Sequence, residues 1–280
     1  MSIIKFIESF TDESLLQSTV SRRNSLSHFT NIGKKGALAA IPGGLLTLLL
    51  APQKGSATTL SPLDDSTPIQ ALQLALTLEY LDSEFYQMGL DTNNLIPTGR
   101  DRDVFSKIVQ NENAHKATLI AALGGEGSAN FIPPPTFDYT ANGLFDPFNN
   151  YDQFLALAQA FEDTGVRAYK GQAHNLMSNP DLLQTALQIH SAESRQASEV
   201  RRLRGEKGWI TGNQRGTGVD AAMQPVYNGE ELTMQRGFNT ATVNNGTMGP
   251  AISSNAGSES FDEPLTRSQV MAIANMFIEP

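Results

Sequence analysis

Four long stretches of this chain repeat their apolar residues with the spacing of an α-helix, and each carries a glutamate on the stripe that is otherwise apolar. The first, expected from about residue 68 to 90, aligns Ile69, Leu72, Leu76, Glu79, Ser83 and Tyr86. The second, about 101 to 123, aligns Val104, Ile108, Glu112, His115, Leu119 and Ala122. In the third, about 151 to 177, the stripe holds Leu155, Ala158, Glu162, Gly165 and Tyr169. The fourth, about 181 to 204, presents Leu182, Ala186, Ile189, Glu193, Gln196, Val200 and Leu203. Steps of three and four residues are those of bundle seams. Burying one carboxylate costs on the order of ~5 kcal/mol after relaxation. Four of them in four helices ask for one compensating partner, and a shared metal centre supplies it.

The connections between these stretches set the topology. Short joins link the first helix to the second and the third to the fourth, so each pair is predicted to form an antiparallel hairpin. Between the second and third lies a long segment, 124–150, containing Phe131-Ile132-Pro133-Pro134-Pro135. A connection of that length needs a task in a compact domain. Here it would run the length of the bundle, so that the third helix starts at the end where the second began. Helices of about 22 residues are about 33 Å long, a span that an extended segment of this size covers. The expected fold is all-α: a four-helix bundle with one long crossover over residues 58–205. Residues 206–280 read differently, rich in Gly, Asn and Thr, with turn pairs at Asn228-Gly229 and Asn245-Gly246 and the single tryptophan, Trp209. They are expected to form irregular structure packed over the bundle or to be partly disordered. A short amphipathic helix at about 264–278, carrying Leu265, Val270, Ile273, Ala274 and Phe277, would dock on its own bundle or on a partner copy.

Composition narrows the chemistry. The chain has no cysteine, which removes disulfides, thiolate metal sites and cysteine nucleophiles together. A metal would therefore be held by carboxylate and imidazole, donors suited to iron, manganese or zinc. A net charge of −9 argues against a nucleic-acid partner or an anionic membrane surface. Residues 1–57 stand apart as an expected export signal. They hold Ser21-Arg22-Arg23, a second basic pair at Lys34-Lys35, an apolar stretch from Gly36 to Ala51, and Gly55-Ser56-Ala57 as the cleavage region. The stretch is shorter than the roughly 20 residues a spanning helix needs. Ser-Arg-Arg resembles the twin-arginine signal, while Lys34-Lys35 would serve equally as the basic region of a general secretory signal peptide. Removing these residues, which carry six Lys/Arg and three Asp/Glu, takes the net charge from −9 to −12. The expected location is the periplasm or cell envelope.

The glutamates form a pseudo-repeat: Glu112 follows Glu79 by 33 residues, and Glu193 follows Glu162 by 31. Within Asn111-Glu112-Asn113-Ala114-His115 the histidine lies one turn beyond the glutamate, so both reach one ion. Di-iron and di-manganese bundles use a Glu from each of two helices and Glu-x-x-His from each of the other two. With the segments 78–86, 111–115 and 161–169, the chain closely resembles the ferritin-like family of exported bacterial proteins, which includes desiccation-associated members. The resemblance covers residues 64–205, and Phe261-Asp262-Glu263-Pro264-Leu265 resembles the tail of its bacterial members. It implies a ferritin-like bundle holding iron or manganese, as a pair or with positions lost, on Glu79, Glu112, His115, Glu162 and Glu193. One position departs. Gln196 stands where the pattern has its second histidine, and an amide oxygen is a weaker transition-metal ligand than imidazole. His190, one turn before Glu193, would substitute or act as a hydrogen-bonding neighbour.

Other polar residues carry plainer expectations. Glu84 and Asp163 read as solvent-facing and His174 as surface. Tyr80, Tyr86 and Tyr169 read as packing residues, with a redox relay as the role open to a tyrosine beside iron. Arg167 and Arg195 fall off the stripes, so no cation is expected to face the carboxylates. Two functional readings follow. One is a di-metal oxidoreductase with an incomplete second half-site, meeting dioxygen or peroxide; the other is a non-catalytic stress or surface binding protein with a degenerate centre. No catalytic residue is assigned beyond the ligands, and self-association would use the bundle or the C-terminal helix.

Overall fold

Helix α1 (Pro68–Asp91) starts where its sequence says it should. Thr67 caps it, accepting from the Gln70 amide while the Gln70 side chain returns the bond, and Pro68 fills the first turn. The computed structural model describes residues 66–235, 238–242 and 252–279; the expected export signal at 1–57 lies outside them. Helix α2 (Arg100–Ala122) follows without a side-chain cap, its N-terminus carrying Asp101 and Asp103 against the positive end of the helix dipole. Asn150 caps α3 (Tyr151–Gln172), and Asn179 caps α4 (Pro180–Leu203). The third helix is shorter than its periodicity predicts, because the chain tightens into a 3₁₀ turn at Ala173–Leu176.

The two hairpins α1–α2 and α3–α4 pack together as a four-helix bundle, with α1 also against α3 and α2 against α4. The long crossover behaves as expected. Its Asn130 carbonyl accepts from Gln73, its Ile132 carbonyl from Tyr80, and its Tyr139 hydroxyl donates to the Leu81 carbonyl, so it travels up the side of α1. It delivers Tyr151 to the start of α2, where the hydroxyl donates to Asp101 at 2.8 Å. An aromatic cluster locks that end: Phe85 stacks on Phe154 at 4.7 Å and meets Phe161 edge-on at 5.0 Å. Among the described residues no helix is long and apolar enough to cross a membrane.

The segment after α4 wraps α3. It contains a 3₁₀ turn (Ala221–Val226), the antiparallel pair β1 (Met234–Gln235) and β2 (Phe238–Asn239), and short helices α5 (Ser254–Ser258) and α6 (Arg267–Ala274). A Thr266–Gln269 capping box starts α6, which packs against α1 and α3 with Val270, Ile273 and Ala274 buried. Phe277 meets Phe161 edge-on at 4.9 Å. Every residue of α3 from Phe154 to Tyr169 is buried. This corrects the expectation for Asp163, which is 3% exposed and receives Arg201 Nε at 3.0 Å. Arg167 is inside the protein too, on the face of α3 turned away from the carboxylates. It donates to the carbonyls of Val226, Asn228 and Glu263 and pairs with Glu230 at 2.7 Å. Glu84 is exposed as expected, whereas His174 is half-buried, its Nδ1 on the Gly171 carbonyl at 2.9 Å.

Candidate metal centre

All four stripe glutamates lie in the bundle interior, none more than 1% exposed. One ring atom and three carboxylate oxygens converge. His115 Nδ1 stands 3.2 Å from Glu193 Oε1 and 3.5 Å from both Glu79 Oε2 and Glu112 Oε2. These four atoms lie within 4.8 Å of one another, on α1, α2 and α4. None of the four has a well-directed hydrogen-bond partner, although each is buried. The imidazole sits among three acceptors and points squarely at none of them. Buried polar atoms left in this state are rare in folded proteins and ask for a ligand or ion. Three carboxylate oxygens and one imidazole nitrogen suit a divalent transition metal, so the donor set fits the iron or manganese that the sequence implies.

The other oxygens of these glutamates are held by the protein. The Tyr169 hydroxyl donates to Glu79 Oε1, which fixes the carboxylate and leaves Oε2 facing the other donors. Glu162 is not part of the converging group. Its Oε1 accepts from Tyr86 at 2.7 Å and its Oε2 from Gln196 Nε2 at 3.4 Å. Gln196 Nε2 also donates to Glu112 Oε1, and its carbonyl oxygen accepts from Asn111 at 2.8 Å. Gly165, one turn after Glu162, makes room for Glu193: a Cβ there would lie 2.6 Å from Glu193 Oε2. His190 does not join the group. Its surroundings are Asp262 of the C-terminal segment, Lys170 and the Val166 backbone, away from the converging atoms.

Electrostatics agree with a cation site. Burial raises Glu79, Glu162 and Glu193 well above the ordinary carboxylate range, and neighbouring carboxylates add to it, Glu112 for Glu79 and Glu193, and Glu193 for Glu162. Burial alone would lower His115, but Glu112, Glu193 and Glu79 overcome it and push the imidazole up to about 12.

Sequence reasoning missed Asp82. It is 3% exposed, its Oδ1 is buried without a partner, and burial followed by the charges of Glu112 and Glu193 raises it well above the usual range. The signal was present: Asp82 follows Glu79 by three residues, the same step that joins Glu112 to His115. The structure also gives Tyr86 and Tyr169, two of the three tyrosines read as packing residues, a direct bond to a stripe glutamate. A family model described as a ferritin-like domain matches residues 67–206, half of the chain, with all of these side chains inside the match. No curated protein matches the chain.

Proposed function

The chain belongs to the ferritin-like domain family, and we propose that it is an exported metal protein. In this reading it holds iron or manganese on Glu79, Glu112, His115 and Glu193 and handles dioxygen or peroxide in the cell envelope, as part of a stress response. The observation that carries the reading is the meeting of four buried, unpartnered donor atoms within 4.8 Å. A bound metal would supply an open coordination position at which a small oxidant is activated. The protein's own part is to shape and dry that position. Tyr169 orients Glu79, Tyr86 and Gln196 hold Glu162, and His115 brings its ring nitrogen to the three converging carboxylates. Export is supported by the basic pairs and the short apolar stretch within residues 1–57.

A second reading keeps the bundle and drops the redox role, leaving a stress or surface binding protein. It is favoured by the amide of Gln196, which occupies acceptors on Glu112 and Glu162 where a second imidazole-bearing half would need them. Metal analysis of protein purified without chelators, before and after reconstitution with Fe(II) or Mn(II), tests the first reading. Bound metal that disappears in the Glu112→Ala, His115→Ala double variant supports it. Protein that stays metal-free after reconstitution overturns it.

A further inference from the structure

We infer that Gln196, held in one orientation by Asn111, closes the second metal position, so that the centre takes a single transition-metal ion at the His115 half. This rests on the metal-binding reading above and fixes its stoichiometry. In a two-metal bundle each ion needs its own terminal glutamate and imidazole and a share of two bridging carboxylates. Here one half is complete and free: Glu79, Glu112, His115 and Glu193 each present an atom with no other partner. The other half would need both oxygens of Glu162, the second oxygens of Glu112 and Glu193, and a donor atom from position 196. The protein has already used those of Glu162, Glu112 and Gln196. Tyr86 donates to Glu162 Oε1 at 2.7 Å, and the two hydrogens of the Gln196 amide go to Glu162 Oε2 and Glu112 Oε1.

An amide nitrogen is no ligand in its protonated form, because its lone pair is delocalised into the carbonyl. The hydrogens it carries do between two carboxylates what a cation would otherwise do there. The only metal-binding atom of Gln196 is its oxygen, and that oxygen is turned away, accepting from Asn111 Nδ2 at 2.8 Å. Turning the amide over would break this bond and set its oxygen against the oxygens of Glu112 and Glu162. A group that is 5% exposed has little water available to repair such losses. The residue beside the bridging glutamate thus decides the metal count: Asn111 aims Gln196, and Gln196 fills the position.

Titration of the purified protein with Mn(II), followed by native mass spectrometry and electron paramagnetic resonance, tests this. The expected result is one ion per chain with the resolved hyperfine pattern of an isolated Mn(II). Gln196→His should take up a second ion, with that pattern replaced by the broadened signal of a coupled pair. Gln196→Glu, which also restores a donor, serves the same purpose should the histidine variant fail to fold, with circular dichroism reporting folding. Two ions in the unaltered protein overturn this inference and leave the functional reading standing, whereas no ion overturns both. A folded Gln196→His or Gln196→Glu variant that still takes only one ion also overturns it, since something other than Gln196 would then close the position.

Discussion

Replacing Gly165 by alanine is expected to weaken metal binding while the fold survives. The new methyl group would start 2.6 Å from Glu193 Oε2, with the next nearest atoms of that side chain at 3.6 and 3.9 Å. Ordinary contact begins near 3.4 Å, so the carboxylate oxygen must retreat by about 0.8 Å. Nothing else crowds the methyl, and the oxygen is the free end of a flexible side chain, so the clash is relieved by rotation rather than by parting the helices. That rotation carries Glu193 Oε1 with it, away from its place 3.2 Å from His115 Nδ1. Binding constellations tolerate displacements of only about 0.5 Å. Disturbing the groups that aim a metal ligand costs about 10- to 100-fold in affinity, or about 1.4–2.8 kcal/mol. Stability should change little, because alanine gains about 1 kcal/mol over glycine inside a helix and local crowding returns about 1–3 kcal/mol. Isothermal titration with Mn(II) gives the affinity, and thermal unfolding of the metal-free protein gives the stability. Unchanged affinity in a folded variant would refute Glu193 as a ligand. Loss of the fold would refute the claim that the clash is confined to the carboxylate.

Gly171→Ala should behave in the opposite way. Its methyl would lie 1.9 Å from the Leu265 carbonyl oxygen, a backbone atom that cannot rotate aside. About 3 kcal/mol of stability should be lost in urea titration, with Mn(II) affinity unchanged. Arg167→Met should cost about 3–5 kcal/mol, since it strands the buried Glu230 carboxylate and three backbone carbonyls. Adding Glu230→Gln should recover part of that loss, and equal instability of the single and double variants would count against the pairing. His190 sets a pH dependence of its own. Burial holds its imidazole below the ordinary value of 6.5, so the folded chain binds fewer protons than the unfolded one. Its contribution is present above about pH 6.5 and is lost as the pH falls through the depressed value. His190→Asn should flatten that limb of the stability curve relative to the unaltered protein, and parallel curves would refute the assignment.

Much of this architecture was readable because the signals were local. Capping residues, a helical period sustained over twenty-odd residues and an i, i+3 Glu–His pair each depend on a few neighbours in sequence, and they placed the bundle, the crossover and the converging donors. Asp163 and Arg167 were beyond that reach. A helical stripe separates inside from outside only for a helix with one covered face, and α3 is covered all round. The residues that cover it, among them Val226, Asn228, Glu230 and Glu263, lie about 60 to 100 positions away in the chain. His190 lies outside the converging group for a simpler reason. Three residues span about 300° of helix, leaving a 60° offset whose direction depends on which way one counts. Counting forward from Glu193 reaches Gln196 inside the centre; counting back reaches His190, beside Asp262.

The wrapping of α3 also separates family from folding unit. The matched region stops at residue 206, and although Arg204 within it donates to the Gln159 oxygen, the acceptors of the Gln159 amide and the partners of Arg167 come after it: Tyr227 and the Arg215 carbonyl for the first, Glu230 and three carbonyls for the second. A fragment ending at 206 would open a strip of α3 to water along its length, with a guanidinium and an amide built for partners no longer present. The recognisable domain and the cooperative one are therefore different objects. Amide exchange should find α3 and the residues that wrap it opening together, as one body.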